Sequence, residues 1–432
     1  MTETSQSPKR FFIFSILSAL FTLSMFYRVS SAVIAPNLTH DLGLNAENLG
    51  ILGGAFFYSF ALLQIPMGPM LDRMGPRIVI TSFSMIGALG AFVFACGNSF
   101  LVVLLGRILI GVGMASALMG SMKVFLLRFP PEKFVTLIGL IQAVGTFGNI
   151  FAASPLAFLT STIGWRMTFV IAGVVTALLA LLTFQILGEE KGDSEGLASS
   201  PSSQPEIGIL QSFRLILRSL TFWQIGAVAF FRYGTFVSLQ GLWLGPYLID
   251  IRGHSPVQTG NLIILLAIGI IVGGPIAGWL SDRTFHSRKG VALGGLSLYC
   301  LSLLPLTGVV KVPSPFWFGL IFFFIGFFCS FGMVVYAHAK ELFPIAISGT
   351  VMAGVNFFTM AGPALFMPAL GKIIESFHHE GHSYPAEAYH ISFLICFLGM
   401  AISLVFYAFS KKEKIGTSSP HCFSVGKVNC PP

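Results

Sequence analysis

The sequence predicts an all-α membrane protein with twelve transmembrane helices in two pseudo-symmetric six-helix bundles. Of its 432 residues, 54% are hydrophobic and only 10% are charged, whereas a soluble domain carries about 25% charged residues. The apolar residues fall into twelve long segments. A polar stretch after the sixth segment divides the chain into two halves, each of which contains six segments.

A helix needs about 20 mainly apolar residues to cross the hydrocarbon core of a bilayer. Twelve segments are apolar enough over such a length, and we number them spans 1 to 12 in chain order. They are Phe11–Pro36, Leu49–Leu71, Ile78–Ala95, Leu101–Leu127, Phe134–Leu159, Met167–Leu187, Phe222–Ile249, Gln258–Leu280, Gly290–Val309, Phe316–Ala339, Ser348–Ile374 and His390–Phe409.

The polar segments define the predicted domain boundaries. The stretch Gly188–Gln211 is acidic and rich in Ser, Pro and Gly, a composition typical of flexible linkers. We therefore predict an N-terminal bundle at residues 1–187, a cytoplasmic linker at 188–220, a C-terminal bundle at 221–410 and a cytoplasmic tail at 411–432.

The Lys and Arg residues between the spans predict the orientation, because cytoplasmic loops carry an excess of them. With both termini in the cytoplasm, 17 of the 25 Lys and Arg face the cytoplasm, four face the other side and four lie inside spans. We expect a multi-pass protein of the cytoplasmic (inner) membrane. The excess of Lys and Arg on the cytoplasmic side also accounts for the net charge of +8. The charge therefore does not indicate that nucleic acid is a partner.

The ionisable residues well inside the spans are nearly all cations. A charge at the bilayer centre costs about 2.5–3.5 kcal/mol or more, so such residues indicate function. All Asp and Glu fall in loops, in tails or at span ends. The interior therefore lacks its own counter-anion, which favours an anionic substrate. The cations are Arg28, Arg107, Lys123 and Arg232.

A short pattern, G-x-x-x-D-R, occurs after span 2 at Gly68–Arg73 and again after span 8 at Gly278–Arg283. The duplicated pattern resembles the loop signature of the major facilitator superfamily. The stretches Arg107–Gly113 and Gly164–Arg166 are also similar to patterns of that family. The resemblance implies two bundles that rock around a central cavity. We expect a conformational latch that contains Asp72, Arg73, Arg77, Asp282, Arg283 and Arg107.

Arg28 in span 1 and Arg232 in span 7 occupy matching helices of the two halves. Two guanidinium groups grip a phosphate or carboxylate well. The pair resembles that of the organophosphate:phosphate antiporters, and the first span is similar to that of the anion:cation symporters. The latter often have Asp before the first Arg, where this chain has Tyr27. The predicted substrate-binding residues are Arg28, Arg232, Tyr27, Tyr233, Gln142, Gln240, Trp243 and Asn356.

Proton coupling would need a titratable group, and His338 near the end of span 10 is a candidate relay. A histidine group at His378, His379 and His382 lies in a loop, where nothing fixes the geometry of a metal site. The six cysteines have no metal-ligand spacing. We therefore predict no metal, no cofactor and no enzymatic activity.

The sequence thus favours a transporter of a small organic anion, either a phosphorylated metabolite or a carboxylate or polycarboxylate. It would work by alternating access as a monomer in the bilayer, as an antiporter or symporter with a proton or phosphate as the second ion. Three alternatives remain: an importer of amino acids or other nutrients, a multidrug exporter, and a sensor that binds solute without moving it. A drug-exporter signature is absent around Gly145–Ile150.

The predicted orientation can be tested with an epitope inserted at Ser200 in the linker. We expect the epitope to be accessible only from the cytoplasm, because the positively charged loops lie on that side. Antibody labelling of spheroplasts before and after permeabilisation measures this, and labelling of intact spheroplasts would reverse the orientation.

Overall fold

The structure is a computed structural model that describes residues 6–130, 134–188, 214–285, 287–309, 315–343, 347–378 and 384–411. Residues 189–213 of the predicted linker, the predicted tail from residue 412 and the loop histidines His379 and His382 lie outside these ranges. The helices of the first half are Gln6–Val29, Ser31–Leu42, Ala46–Ala95, Phe100–Met114, Ser116–Arg128, Phe134–Phe151 and Ser154–Ile186.

The helices of the second half begin with Leu220–Ser238, which continues through π-helical turns at Leu239–Trp243 and Tyr247–Ile251. The others are Pro256–Trp279, Arg288–Leu303, Pro315–Cys329, Met333–Leu342, Ser348–Glu375 and Ala386–Ala408. The described residues contain ten helices that are long and apolar enough to cross a membrane. Spans 5 and 7 complete the twelve: span 5 is divided between two helices, and π turns interrupt span 7.

Two helical segments each consist of two helices joined at a glycine with non-helical backbone angles. Ala46–Ala95 contains spans 2 and 3, which are separated at Gly75, whose φ is 77°. Ser154–Ile186 contains the end of span 5 and nearly all of span 6, which are separated at Gly164, whose φ is 81°. Only glycine adopts such positive φ angles at little cost, so these two residues separate successive spans. The fold class predicted from the sequence is confirmed.

Spans 1, 4, 7 and 10 each contain a short departure from regular α-helical structure. Span 1 has a turn at Ser30 and span 4 has one at Ala115, both with α-helical backbone angles, span 7 has π turns from Leu239, and span 10 contains a 3₁₀ turn at Ser330–Gly332. Irregular turns are tolerated at membrane depth where other protein groups or water satisfy the backbone.

We call the surface where span 1 begins and span 12 ends the terminal face, and the other surface the opposite face. Spans 3 and 6 pack against each other and are joined by an arginine at each face. On the terminal face, Arg77 Nε donates to the carbonyl of Phe184 at 3.0 Å. On the opposite face, Arg166 Nη2 donates to the carbonyl of Gly97 at 3.2 Å.

The opposite-face joint also holds the end of span 1. Asp41 Oδ2 accepts hydrogen bonds from Trp165 Nε1 at 2.9 Å and from Arg166 Nη1 at 3.0 Å. Hydrogen bonds from His40, Trp165 and Arg166 lower the pKa of the Asp41 carboxyl. Asp41 therefore stays ionised at neutral pH and ties span 1 to span 6.

Between the two bundles, close backbone contacts of the described residues cluster toward the opposite face. A Cβ at Gly50 of span 2 would lie 2.5 Å from the Met367 carbonyl oxygen of span 11, and one at Gly54 would lie 2.9 Å from the Ala364 carbonyl oxygen. Gly245 of span 7 packs on Ala32 of span 1 in the same way. The opposite face is thus closed.

Candidate functional site

Arg28 belongs to the first bundle, but its side chain reaches the second. It is 4% exposed, and its Nη1 donates to the hydroxyl of Tyr233 in span 7 at 2.9 Å. Its guanidinium carbon lies 5.0 Å from the ring centre of Phe60 in span 2. This distance is within the range of cation–π attraction, so groups from spans 2 and 7 hold Arg28 inside the protein.

Arg232 lies next to Tyr233 and is 3% exposed. Its Nη1 donates to the carbonyl of Cys329 at 3.1 Å, and the Cys329 sulfur is 3.8 Å away. A Cβ at Gly332 would collide with the Arg232 side chain. The 3₁₀ turn of span 10 and its glycine therefore provide the space that Arg232 occupies.

Neither guanidinium group forms an ion pair with a carboxylate of the described residues. In each group only Nη1 donates a hydrogen bond within the described residues, and Nε is buried without a partner there. Burying a charge is expensive unless it is paired. The Tyr233 phenol connects the two cations, since its hydroxyl binds Arg28 and its ring centre lies 5.5 Å from the Arg232 guanidinium carbon.

The site lies on the terminal side of the closed layer. The backbone of Arg28 packs beside Gly241 of span 7, but its side chain reaches Tyr233, about two helical turns nearer the terminal face. Helical side chains point toward the start of their helix, which explains this direction. The packed contacts of Gly245 and Gly50 therefore separate the two guanidinium groups from the opposite face.

Arg107 differs from this pair because it is completely buried. Its Nη1 donates to the carbonyl of Tyr27 at 2.7 Å, and the Ser30 hydroxyl donates to the same oxygen at 3.1 Å. The Tyr27 hydroxyl lies 3.1 Å from Thr176 Oγ1 in span 6. Arg107 and Tyr27 thus fix span 1 at the turn that follows Arg28.

The other predicted binding residues are dispersed around the interior. Gln240 and Trp243 are buried, with Nε2 and Nε1 respectively lacking partners. Trp243 lines a cavity near the opposite face. Gln142 of span 5 and Asn356 of span 11 are both partly buried. The structure therefore brings together Arg28, Arg232 and Tyr233 but does not place all eight residues in contact.

The predicted latch residues other than the buried Arg107 lie at the terminal face. Arg73 and Arg283 are exposed, and the side chains of Asp72 and Asp282 lie outside the described part of the structure. Arg77 stacks on Phe184, with its guanidinium carbon 3.9 Å from the ring centre.

His338 is buried between spans 10 and 12. Its Nδ1 lies 2.8 Å from the Tyr407 hydroxyl, and its Nε2 lies 3.1 Å from the Lys411 carbonyl oxygen. These contacts tie span 10 to the end of span 12. Within the described residues, no group of three or more His, Cys, Asp or Glu could hold a metal ion.

Sequence reasoning missed several neighbours of the arginine pair. Phe60, Cys329 and Gly332 lie far from both arginines in the sequence, and none belongs to a local motif. Tyr336, whose hydroxyl lies 2.6 Å from Thr359 Oγ1, follows Gly332 by about one turn of span 10. Helical periodicity around Arg232 could not identify these residues, because the contacts depend on how spans 2, 7 and 10 pack.

The fold and the interior cations define a polytopic membrane protein of the transporter type. The sequence profile of the Major Facilitator Superfamily matches residues 16–283 and 231–422, and the chain belongs to this family. The family consists of transporters rather than enzymes, which confirms the prediction made from the duplicated loop pattern.

Three curated relatives are similar over most of their length. The uncharacterized transporter YybO of Bacillus subtilis is 25% identical, covering 93% of each chain. A probable galactarate/D-glucarate transporter of the same organism is 24% identical, covering 79% of this chain and 80% of the relative. A probable hexose phosphate transport protein of Chlamydia muridarum is 24% identical, covering 88% and 86%.

The fold also resembles solved structures. A bacterial homolog of the human lysosomal transporter Spinster superposes with a TM-score of 0.75 at 20% identity, covering 93% of this chain and 97% of that one. A D-xylose–proton symporter superposes with a TM-score of 0.71 at 15% identity, covering 93% and 98%.

Replacing Gly332 with Ala tests the packing around Arg232. We expect a loss of about 1–3 kcal/mol of stability, the usual cost of overpacking, because the new methyl group collides with Arg232. The double variant Gly332→Ala/Arg232→Ala should show less than the sum of the two single losses. Denaturation in detergent measures the stabilities, and Gly294→Ala, where a Cβ meets nothing within 4 Å, is the control. Additive losses would contradict the contact.

Proposed function

We propose that this protein moves a small organic anion, a phosphorylated metabolite or a carboxylate, across the cytoplasmic membrane by alternating access. The observation that carries the proposal is the pair Arg28 and Arg232, one from each bundle. Both are buried, and both lack a carboxylate partner among the described residues. An anion bound between them would neutralise charge that the protein leaves unbalanced.

The chemistry of the pair suits oxyanions. A guanidinium group offers parallel N–H donors that match phosphate and carboxylate oxygens, and in both arginines only Nη1 has a hydrogen-bond partner among the described residues. Tyr233 adds a hydroxyl beside Arg28. The names of several relatives support this substrate class, since they describe transporters of glucarate, hexuronate and hexose phosphate.

The alternative substrates fit the site less well. An amino acid would bring an ammonium group that needs an acceptor, and no described carboxylate pairs with either arginine. A cationic drug would be repelled by both arginines. A non-transporting sensor would bind the same anions, so flux into liposomes separates it from a carrier.

The distribution of Lys and Arg supports an orientation with the terminal face in the cytoplasm. In that orientation the structure is a state closed to the outside, and the arginine pair lies on the cytoplasmic side of the closure. An anion would then enter or leave this state through the cytoplasmic face.

Exchange of one anion for another is the coupling that we propose. The empty carrier would have to pass through an occluded state with two uncompensated cations, which is costly in a low-dielectric interior. A bound anion removes this cost in both directions. His338 is the candidate relay for a proton-coupled alternative, but it binds Tyr407 and the Lys411 carbonyl rather than the arginine pair.

Removal of either arginine should strongly weaken anion binding. We expect hexose 6-phosphate, glucarate or glucuronate to raise the melting temperature of the wild type, and Arg28→Ala or Arg232→Ala to weaken binding at least tenfold. The control Arg218→Ala removes the same charge from an exposed position, and the neutral analogues glucose and galactitol test for anion dependence. Binding that survives both arginine substitutions would contradict the proposal.

Exchange predicts that uptake depends on an anion inside the vesicle. In proteoliposomes, the anion identified by the thermal screen should enter at least tenfold faster when the lumen holds phosphate or the same anion than when it holds a neutral buffer. A proton ionophore should leave the exchange rate unchanged. Fast uptake into anion-free vesicles that the ionophore abolishes would replace exchange with proton coupling.

A further inference from the structure

A separate contact between the bundles lies at the opposite face, where the helix of span 2 begins. The main-chain N–H of Ala46 donates to Glu375 Oε2 at 2.9 Å and to the Tyr384 hydroxyl at 2.8 Å. The Tyr384 hydroxyl donates to the same Oε2 at 2.6 Å. Ala46 belongs to the first bundle, whereas Glu375 ends span 11 and Tyr384 precedes span 12, so the three groups join the two bundles.

The start of a helix is a favourable place for a carboxylate. The first N–H groups of a helix have no partner within it, and the helix dipole makes this end positive. Asn45 satisfies one of these donors, because its side chain accepts from the Asn48 N–H at 2.9 Å. Glu375 and Tyr384 satisfy the N–H of Ala46. The two caps come from different bundles, and only the second breaks when the bundles separate.

The contact is shielded from water on one side and borders a cavity on the other. Ala46 is 1% exposed and Tyr384 is 7% exposed. A Cβ at Gly371, one turn before Glu375, would lie 2.5 Å from the Ala46 carbonyl oxygen. Ala46 and Tyr384 also line a cavity of about 190 Å³ between the bundles. The contact is therefore the polar end of the apolar layer that closes this face.

We propose that Glu375 and Tyr384 are the gate residues that hold the opposite face closed by binding the amino end of span 2. Charge-assisted hydrogen bonds are stronger than neutral ones, and this contact forms only when the bundles meet. When the face opens, water forms hydrogen bonds with the Glu375 carboxylate and with the main-chain N–H of Ala46 instead. The gate thus sets how often the opposite face opens, whichever solute is carried.

The gate can be tested without any solute. Leu49 is buried and lines the cavity beside Ala46, so Leu49→Cys reports opening of the opposite face to a membrane-impermeant maleimide. The exposed Cys96 and the tail cysteines Cys422 and Cys430 are replaced with Ser in this background. The labelling rate in sealed vesicles of known orientation is proportional to the open fraction.

We expect Glu375→Ala to raise the labelling rate about tenfold, which corresponds to about 1.4 kcal/mol. Tyr384→Phe and Glu375→Gln should give smaller increases, because each keeps part of the hydrogen bonding. Glu387→Gln is the matched control, since Glu387 is an exposed carboxylate at the start of span 12. If Glu375→Ala does not fold, Glu375→Gln and Tyr384→Phe decide the outcome.

Equal labelling rates in the gate variants, in the control and in the parent protein would overturn the gate. The result does not depend on the arginine pair, because no anion is added. The labelling experiment can therefore fail while the anion-binding experiment succeeds, and the reverse is also possible.

Discussion

Positive charge without a resident counter-charge is the constraint on which the interior of this protein depends. Arg28 and Arg232 are buried between the bundles, and the described residues offer them carbonyl, hydroxyl and aromatic partners but no carboxylate. Such partners hold the guanidinium groups in position without neutralising them. Under the proposed function, a mobile anion completes the electrostatics of the interior, and the movement of the bundles is linked to whether that anion is present.

The sequence was sufficient for the fold, because hydropathy reports lipid exposure directly. The long apolar segments and the duplicated loop pattern at Gly68–Arg73 and Gly278–Arg283 predicted the spans and the family, and both were confirmed. The gaps between predicted spans also located two turns: Gly75 lies between spans 2 and 3 and Gly164 lies between spans 5 and 6, each with a positive φ angle. The bounds were less accurate for span 1, whose helical structure continues past the predicted end at Pro36 to Leu42.

The candidate site was predictable only in part. A cation in an apolar segment is costly, so Arg28 and Arg232 could be recognised from the sequence alone. Their partners could not, because the Cys329 carbonyl, Phe60 and the space at Gly332 are ordinary features of apolar helices. Likewise, Glu375 could be read only as a carboxylate at a span end. Its role at the amino end of span 2 follows from packing between bundles.

The joints between spans 3 and 6 have a mechanical consequence. At one end of this pair, Arg77 of span 3 donates a hydrogen bond to the Phe184 carbonyl of span 6. At the other end, Arg166 donates to the Gly97 carbonyl and to the Asp41 carboxylate. A helix pair bonded at both ends resists sliding along its length, so we expect spans 3 and 6 to move as one unit when the N-terminal bundle moves.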